Sequence, residues 1–165
     1  MASVDHLLLP LTFVALLGSG LMAGLFFVFS VAVMKGFSRL PVHEGIAAMQ
    51  SINVAIINPV FFLVFFGTAA SCAAVVVVTM MRWGEPGNTD LMLGGALYLI
   101  GGFLVTLIFN VPRNKLLGAV SPTDPDSVHL WSDYLDQWTR WNHVRTIASL
   151  AALAFLSIGL CQLRL

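Results

Sequence analysis

An all-α fold, a four-helix transmembrane bundle, is predicted by three features of this chain of 165 residues. Four apolar runs are each long enough to cross a bilayer, none has an acid or base in its middle, and 58% of the chain is hydrophobic against 10% charged. A soluble domain carries about 25% charged residues, whereas a bilayer offers a hydrocarbon core about 30 Å thick to take up such an excess of apolar surface. The chain therefore reads as one integral membrane domain over residues 1–165.

The first run, residues 7–34, is too long for the core of a signal peptide and has no basic cluster before it. It reads as a retained helix with Pro10 near its start. Gly20 and Gly24 form a small-xxx-small pair that lets another helix approach closely. A helix of the same bundle is the favoured partner, and a second copy of the chain, making a homo-oligomer, is the alternative. The second run, 54–81, holds Asn58-Pro59 in its first turns. This is either a start, with Asn58 capping and Pro59 at the first helical position, or a kink. The third, 91–112, contains Gly94-Gly95 and Gly101-Gly102, seven apart and so on one face. The fourth helix is expected over 128–163, with its membrane part from about residue 146. Trp131, Leu135, Trp138, Asn142 and Arg145 recur at helical spacing and make its leading part an amphipathic extension. Residues 35–53 leave room for a short amphipathic segment, and 82–90 form a Gly/Pro turn.

Charge and motif content exclude several functions. With 8 basic and 8 acidic residues the formal charge is zero, so no basic footprint for nucleic acid exists. Cys72 and Cys161 lie in apolar runs without metal or redox spacing. Phosphate-binding glycine loops are absent. His43-Glu44, His129, Asp133 and His143 match no metal-ligand motif, so no metal is expected. Ser19 and Ser30 lack a base partner for nucleophilic work. Four crossings put both termini on one side with Arg82 and Arg164, and Lys35, Arg39, Arg113, Lys115, Arg140 and Arg145 on the other. The positive-inside rule then predicts a multi-pass protein of the cell membrane with its long connections in the cytoplasm.

Polar and aromatic residues concentrate at that second side. Gln50 and Asn53 precede the second helix, Asn110 and Asn114 flank Pro112, and Trp131, Tyr134, Trp138, Trp141, Asn142, His143 and Arg145 lead into the fourth. Indoles favour membrane interfaces whatever the function, and a single amide can cap a helix. Amides from several separate stretches meeting one arginine exceed what an anchor requires. They predict an aromatic-walled pocket for a flat, apolar, oxygen-bearing ligand.

The strings Asn110-Val-Pro-Arg-Asn114 and Trp138-Thr-Arg-Trp-Asn-His-Val-Arg145-Thr resemble those of the anthrone oxygenase family. Residues 24–34, Met49-Gln-Ser-Ile-Asn53 and Asn58-Pro59 are similar too, so the resemblance covers nearly the whole chain. Arg113 departs from the pattern, which has an apolar residue there, and no catalytic role is assigned to it. The resemblance implies a small four-helix membrane protein and, for some members, oxidation of a polyketide anthrone to a quinone with O2 and no cofactor.

On that reading Trp138 and Trp141 stack on the substrate, with Trp131, Tyr134, Gln50 and Asn53 as further binding residues. Arg145 holds the developing oxyanion, Asn110, Asn114 and Asn142 donate hydrogen bonds, and His143 is the candidate base. The partners are then an apolar aromatic molecule, O2 and the lipid bilayer. The competing reading is a non-catalytic scaffold of a larger complex, whose docking face would be Gln50, Asn53, Asn110 and Asn142. A proton-coupled carrier ranks third, because no ionisable residue lies deep in a run.

Overall fold

The structure is a computed structural model that describes residues 2–163, with side chains from residue 7 onward. Helix α1 covers residues 2–37 as Ala2–Val28, a wide π-type turn at Phe29–Val33, and Met34–Phe37. Helix α2 is Val42–Ala55 and α3 is Pro59–Met81. Helix α4, Asn88–Gly118, contains two further π-type stretches at Tyr98–Leu104 and Thr106–Asn110. Helix α5 is Ser127–Gln162. No strand occurs among the described residues. Four of these helices, all but α2, are long and apolar enough to cross a membrane, as an integral membrane protein requires. The fold class is thus the one the sequence predicts.

The four long helices form a ring in which α1 packs on α3 and α5, and α4 packs on α3 and α5. Neighbours run antiparallel: Gly94 of α4 faces Leu156 of α5, and farther along Gly101 faces Ala148 and Asn110 bonds to Trp138. Along the axis lies a core of Leu8, Ala15, Met22, Phe65, Cys72, Val75, Leu91, Tyr98, Ala152 and Leu156. In a bilayer the outer surface gains nothing by hiding apolar groups, so close backbone approach supplies the packing energy instead. Gly94 is the clearest instance. A Cβ there would sit 2.8 Å from Leu156 Cγ, 2.9 Å from the Leu156 backbone nitrogen and 3.0 Å from the Ala152 carbonyl. Gly95, next in sequence, faces α3 and the Cys72 carbonyl instead. Adjacent glycines therefore let α4 press on two neighbours at once.

Several boundaries differ from expectation. Helix α1 begins at Ala2, which puts Pro10 inside it. The close contact of α1 with α3 is at Gly18, against the Thr68 side chain, and Gly24 is exposed with nothing within 4 Å of a Cβ added there. The pair Gly20 and Gly24 is therefore not the packing seam: Gly20 meets only Leu153, at 3.6 Å. Asn58-Pro59 is a start and not a kink. The Asn58 backbone is extended, its Oδ1 accepts from the Phe61 N–H at 2.9 Å, and Pro59 occupies the first helical turn, where its missing donor is harmless. Such a cap contributes about 1 kcal/mol. Residues 54–55 belong to the amphipathic α2, so α3 starts at 59 instead of 54. Between α3 and α4 the chain turns at Gly87, whose positive φ of 81° only glycine adopts freely.

Helix α4 does not end at Pro112 but continues to Gly118. Proline removes a hydrogen bond and its ring crowds the preceding turn. The wide turn at Thr106–Asn110 loosens that turn, so the helix passes through. At the same end of the bundle a second cluster forms from Met34, Ile46, Met49, Leu117, Trp131, Tyr134 and Trp138. It ties α2 to the ends of α1 and α4 and to the start of α5. Gln50 strengthens the tie by donating to the carbonyls of Leu117 at 2.8 Å and Val120 at 3.0 Å. Arg164, counted on the terminal side of the topology, lies outside the described residues.

Candidate active site

Above this second cluster the helices enclose a cavity of about 610 Å³, within the about 300–1,000 Å³ typical of ligand pockets. Its walls are aromatic and aliphatic, chiefly Phe26, Phe29, Phe61, Phe65, Met49 and Trp138. Its polar residues are Gln50, Asn53, Thr106, Asn114, Lys115, Asn142 and Arg145. Two are basic, and no carboxylate or imidazole lines it among the described residues.

Arg145 is the centre of the site. It comes from α5 and is only 5% exposed. Its Nη2 donates to Asn142 Oδ1 at 2.6 Å and its Nη1 to Thr106 Oγ1 at 3.3 Å, while Nε has no partner. The guanidinium lies 4.3 Å from the Phe26 ring centroid and 4.9 Å from that of Trp138. Aromatic faces offset part of the cost of a buried cation but do not replace a counter-ion. No carboxylate pairs with Arg145 among the described residues. Such a group is poised for an anion.

The surrounding hydrogen bonds fix Arg145 in place. Asn142 Nδ2 donates to the Phe26 carbonyl and to Ser30 Oγ, each at 2.7 Å. The amide is thereby oriented, with its Oδ1 turned to Arg145. The Thr146 hydroxyl donates to the Asn142 carbonyl at 2.9 Å, so it accepts from Ser30, 3.1 Å away. Ser30 and Thr106 both sit in π-type turns, the features that shift these side chains out of ordinary helical register. Thr106 gives its own proton to the Gly102 carbonyl at 2.7 Å, leaving its oxygen for Arg145.

Farther along the cavity, Asn114 Oδ1 accepts from Tyr134 Oη at 2.8 Å and Trp138 Nε1 at 2.7 Å. With its oxygen doubly used, Asn114 is left with its NH₂ group to donate. The buried Asn53 Nδ2 has no acceptor. Polar groups at this depth are rarely left unpaired, and a ligand oxygen would satisfy them.

Of the residues singled out from sequence, Arg145, Asn142, Asn114, Trp138, Gln50 and Asn53 line one cavity. Asn110 is buried beside it: Nδ2 bonds the Trp138 carbonyl at 3.1 Å and Oδ1 is unpaired. Trp131 and Tyr134 lie beneath, stacked on each other at 5.7 Å, and Tyr134 stacks on Trp138 at 6.0 Å. They support the wall and do not form it. Trp141 is not at the cavity either, because its ring is covered by Phe109 at 3.5 Å. His143 is exposed and outside the lining, one residue on from Asn142 and therefore about 100° around the helix. Replacing His143 with alanine is expected to leave any turnover within about twofold of the parent, measured in nanodiscs. Arg113 spends Nη1 on the Phe109 carbonyl at 2.7 Å and borders a shallow outer groove.

Sequence reasoning missed Phe26, Phe29, Phe61, Phe65, Ser30, Thr106 and Lys115. The phenylalanines lie within apolar runs where every residue is greasy, so composition cannot mark them. Thr106 carried a faint signal, being four residues before Asn110 and so on its face.

No curated protein and no solved structure matches the chain. The family model described as anthrone oxygenase matches residues 61–155, more than half the chain, and that span includes Thr106, Asn114, Trp138, Asn142 and Arg145. The chain belongs to the anthrone oxygenase family.

Proposed function

We propose that this protein oxidises a flat, oxygen-bearing aromatic substrate of the anthrone class to the corresponding quinone with O2. The observation that carries the reading is Arg145: a buried guanidinium without a carboxylate, held by Asn142 and Thr106 at the wall of an aromatic cavity.

An anthrone that loses a proton from its ring methylene becomes an anion whose charge rests largely on the carbonyl oxygen. Arg145 supplies a fixed positive charge for that oxygen in a site of low dielectric, which makes the substrate more acidic. With no carboxylate or imidazole in the lining, acidity comes from stabilising the anion instead of from a strong base, and the proton passes to water. The electron-rich anion transfers an electron to O2, and the resulting pair of radicals joins to make a carbon–oxygen bond at the former methylene. Loss of the remaining proton there, with cleavage of the O–O bond, gives the second carbonyl and hydroxide. The sum is anthrone plus O2 to anthraquinone plus water. Trp138, Phe26 and Phe29 sandwich the ring system, and Asn114 and Asn53 donate to its other oxygens.

The scaffold reading requires Gln50, Asn53, Asn110 and Asn142 to present a face to a partner. Asn110 and Asn142 are buried and Gln50 is committed to two backbone carbonyls, which favours the enzyme. Arg145, being inside the bundle, drops out of the topology count. Lys35, Arg39, Arg113, Lys115 and Arg140 remain in the sequence count for the cavity end against Arg82 and Arg164 for the other, which supports a cavity at the cytoplasmic face of the cell membrane.

Oxygen uptake with 1,8-dihydroxyanthrone in nanodiscs tests the reading. O2 and anthrone should disappear one for one as the quinone band grows. A rate no higher than that of empty nanodiscs would sink it.

A further inference from the structure

The cavity is bounded below by α2 and the aromatic cluster, with the exposed Lys115 and Gly118 of α4 at that end, and it is open at its side. At its side the lining residues that remain widely exposed are Val54, Ile57, Phe62, Phe66 and Leu107. All five are apolar. Phe62 and Phe66 lie on one edge of α3, and Leu107 lies on α4 across from them. Toward the bundle middle the gap is shut by Phe103, whose ring meets Phe65 at 5.1 Å and Phe66 at 5.7 Å. At its other end it is bounded by Val54 and Ile57, where α2 passes into α3. Phe66 is seven residues into α3, and Leu107 eleven residues before the end of α4, so the opening reaches about 10 Å or more along the spanning helices. An opening at that depth faces acyl chains, not water.

We propose that this cleft between the start of α3 and the second half of α4 is a lateral portal through which an apolar aromatic molecule dissolved in the bilayer passes into the cavity. Leu107 is its jamb on α4 and Phe62 its jamb on α3. The portal concerns the same cavity as the oxygenase reading and rests on it for the identity of the guest, though not for the route. The apolar rim explains itself on this account. A guest entering this side from water would have to leave its hydration shell at five greasy residues, whereas one already in the lipid exchanges one apolar contact for another and meets polar groups only once inside the cavity.

The test uses 3-trifluoromethyl-3-phenyldiazirine, a small apolar aromatic probe, in proteoliposomes of the full chain. Photolysis is followed by mapping of adducts by mass spectrometry. Adducts are expected on the cavity residues Met49, Phe65 and Trp138, which are shielded from lipid, as well as on the outward Leu21, Val77 and Met80. Leu107→Trp should abolish the cavity adducts while the outward ones persist, and the outward pattern reports that the bundle is intact. Phe62→Trp plugs the cleft from the other side should Leu107→Trp fail to insert. Absence of cavity adducts in the parent, or their survival in both plugged variants, overturns the portal. A portal that passes this test in a protein without anthrone turnover would leave the route standing and remove the oxygenase reading.

Discussion

Replacing Arg145 with lysine is expected to lower anthrone turnover by about 10²- to 10³-fold, the usual loss when a preorganised oxyanion donor is removed. The ammonium keeps the charge but not the geometry. Arg145 reaches Asn142 and Thr106 through separate nitrogens and still has Nε unpaired. The lysine ammonium has three donors but all on one nitrogen, so it cannot reproduce the planar spread by which Arg145 reaches both partners while lying over the rings of Phe26 and Trp138. Stability should move the other way in Arg145→Met. The parent holds a cation at 5% exposure with no carboxylate, a state that costs free energy until an anion binds. Methionine removes that cost, while the loss of a partner for Asn142 Oδ1 takes back about 1 kcal/mol. Arg145→Met should therefore melt no earlier than the parent in detergent yet be inactive. If activity and melting temperature fall together, Arg145 is structural. If lysine leaves turnover untouched, the oxyanion role is wrong.

Gly94→Val is expected to destabilise the bundle by about 1–3 kcal/mol or more, read as a lower unfolding midpoint in detergent. The contacts of its Cβ include the Leu156 backbone nitrogen at 2.9 Å and the Ala152 carbonyl at 3.0 Å, and backbone cannot rotate away as a side chain can. The helices must part, and with them the alignment of α4 and α5 that brings Thr106 to Arg145. Gly24→Ala is the control. Nothing lies within 4 Å of its added methyl, and alanine favours helix by up to about 1 kcal/mol over glycine. A destabilising Gly24→Ala, or a neutral Gly94→Val, would show that the helix seams are misplaced.

The two glycines show how far sequence alone reaches. Apolar length fixed the four spans and the helical class, because the thickness of a bilayer is a one-dimensional constraint that a linear chain can display. Asn58-Pro59 offered a cap or a kink, and only the extended backbone at Asn58 chose between them. Helical spacing pointed to Gly20 and Gly24, four apart, and to Gly94 and Gly101, seven apart, but only the second pair is pressed against a partner helix. The helical phase says which residues share a face, not which face meets a neighbour.

The site divides the same way. Arg145, Asn142, Asn114, Asn53 and Trp138 were legible because a polar or amphipathic group at the edge of an apolar run is costly and needs a reason. His143 and Trp141 shared that signal and proved to lie off the cavity, His143 exposed and Trp141 stacked on Phe109, since adjacent residues on α5 point in different directions. The phenylalanine walls, the hydroxyls of Ser30 and Thr106 and the cleft at Leu107 were decided by tertiary structure. Each depends on how far apart two helices stand and how wide turns rotate their side chains, and those quantities are set by contacts between distant segments that no local pattern records.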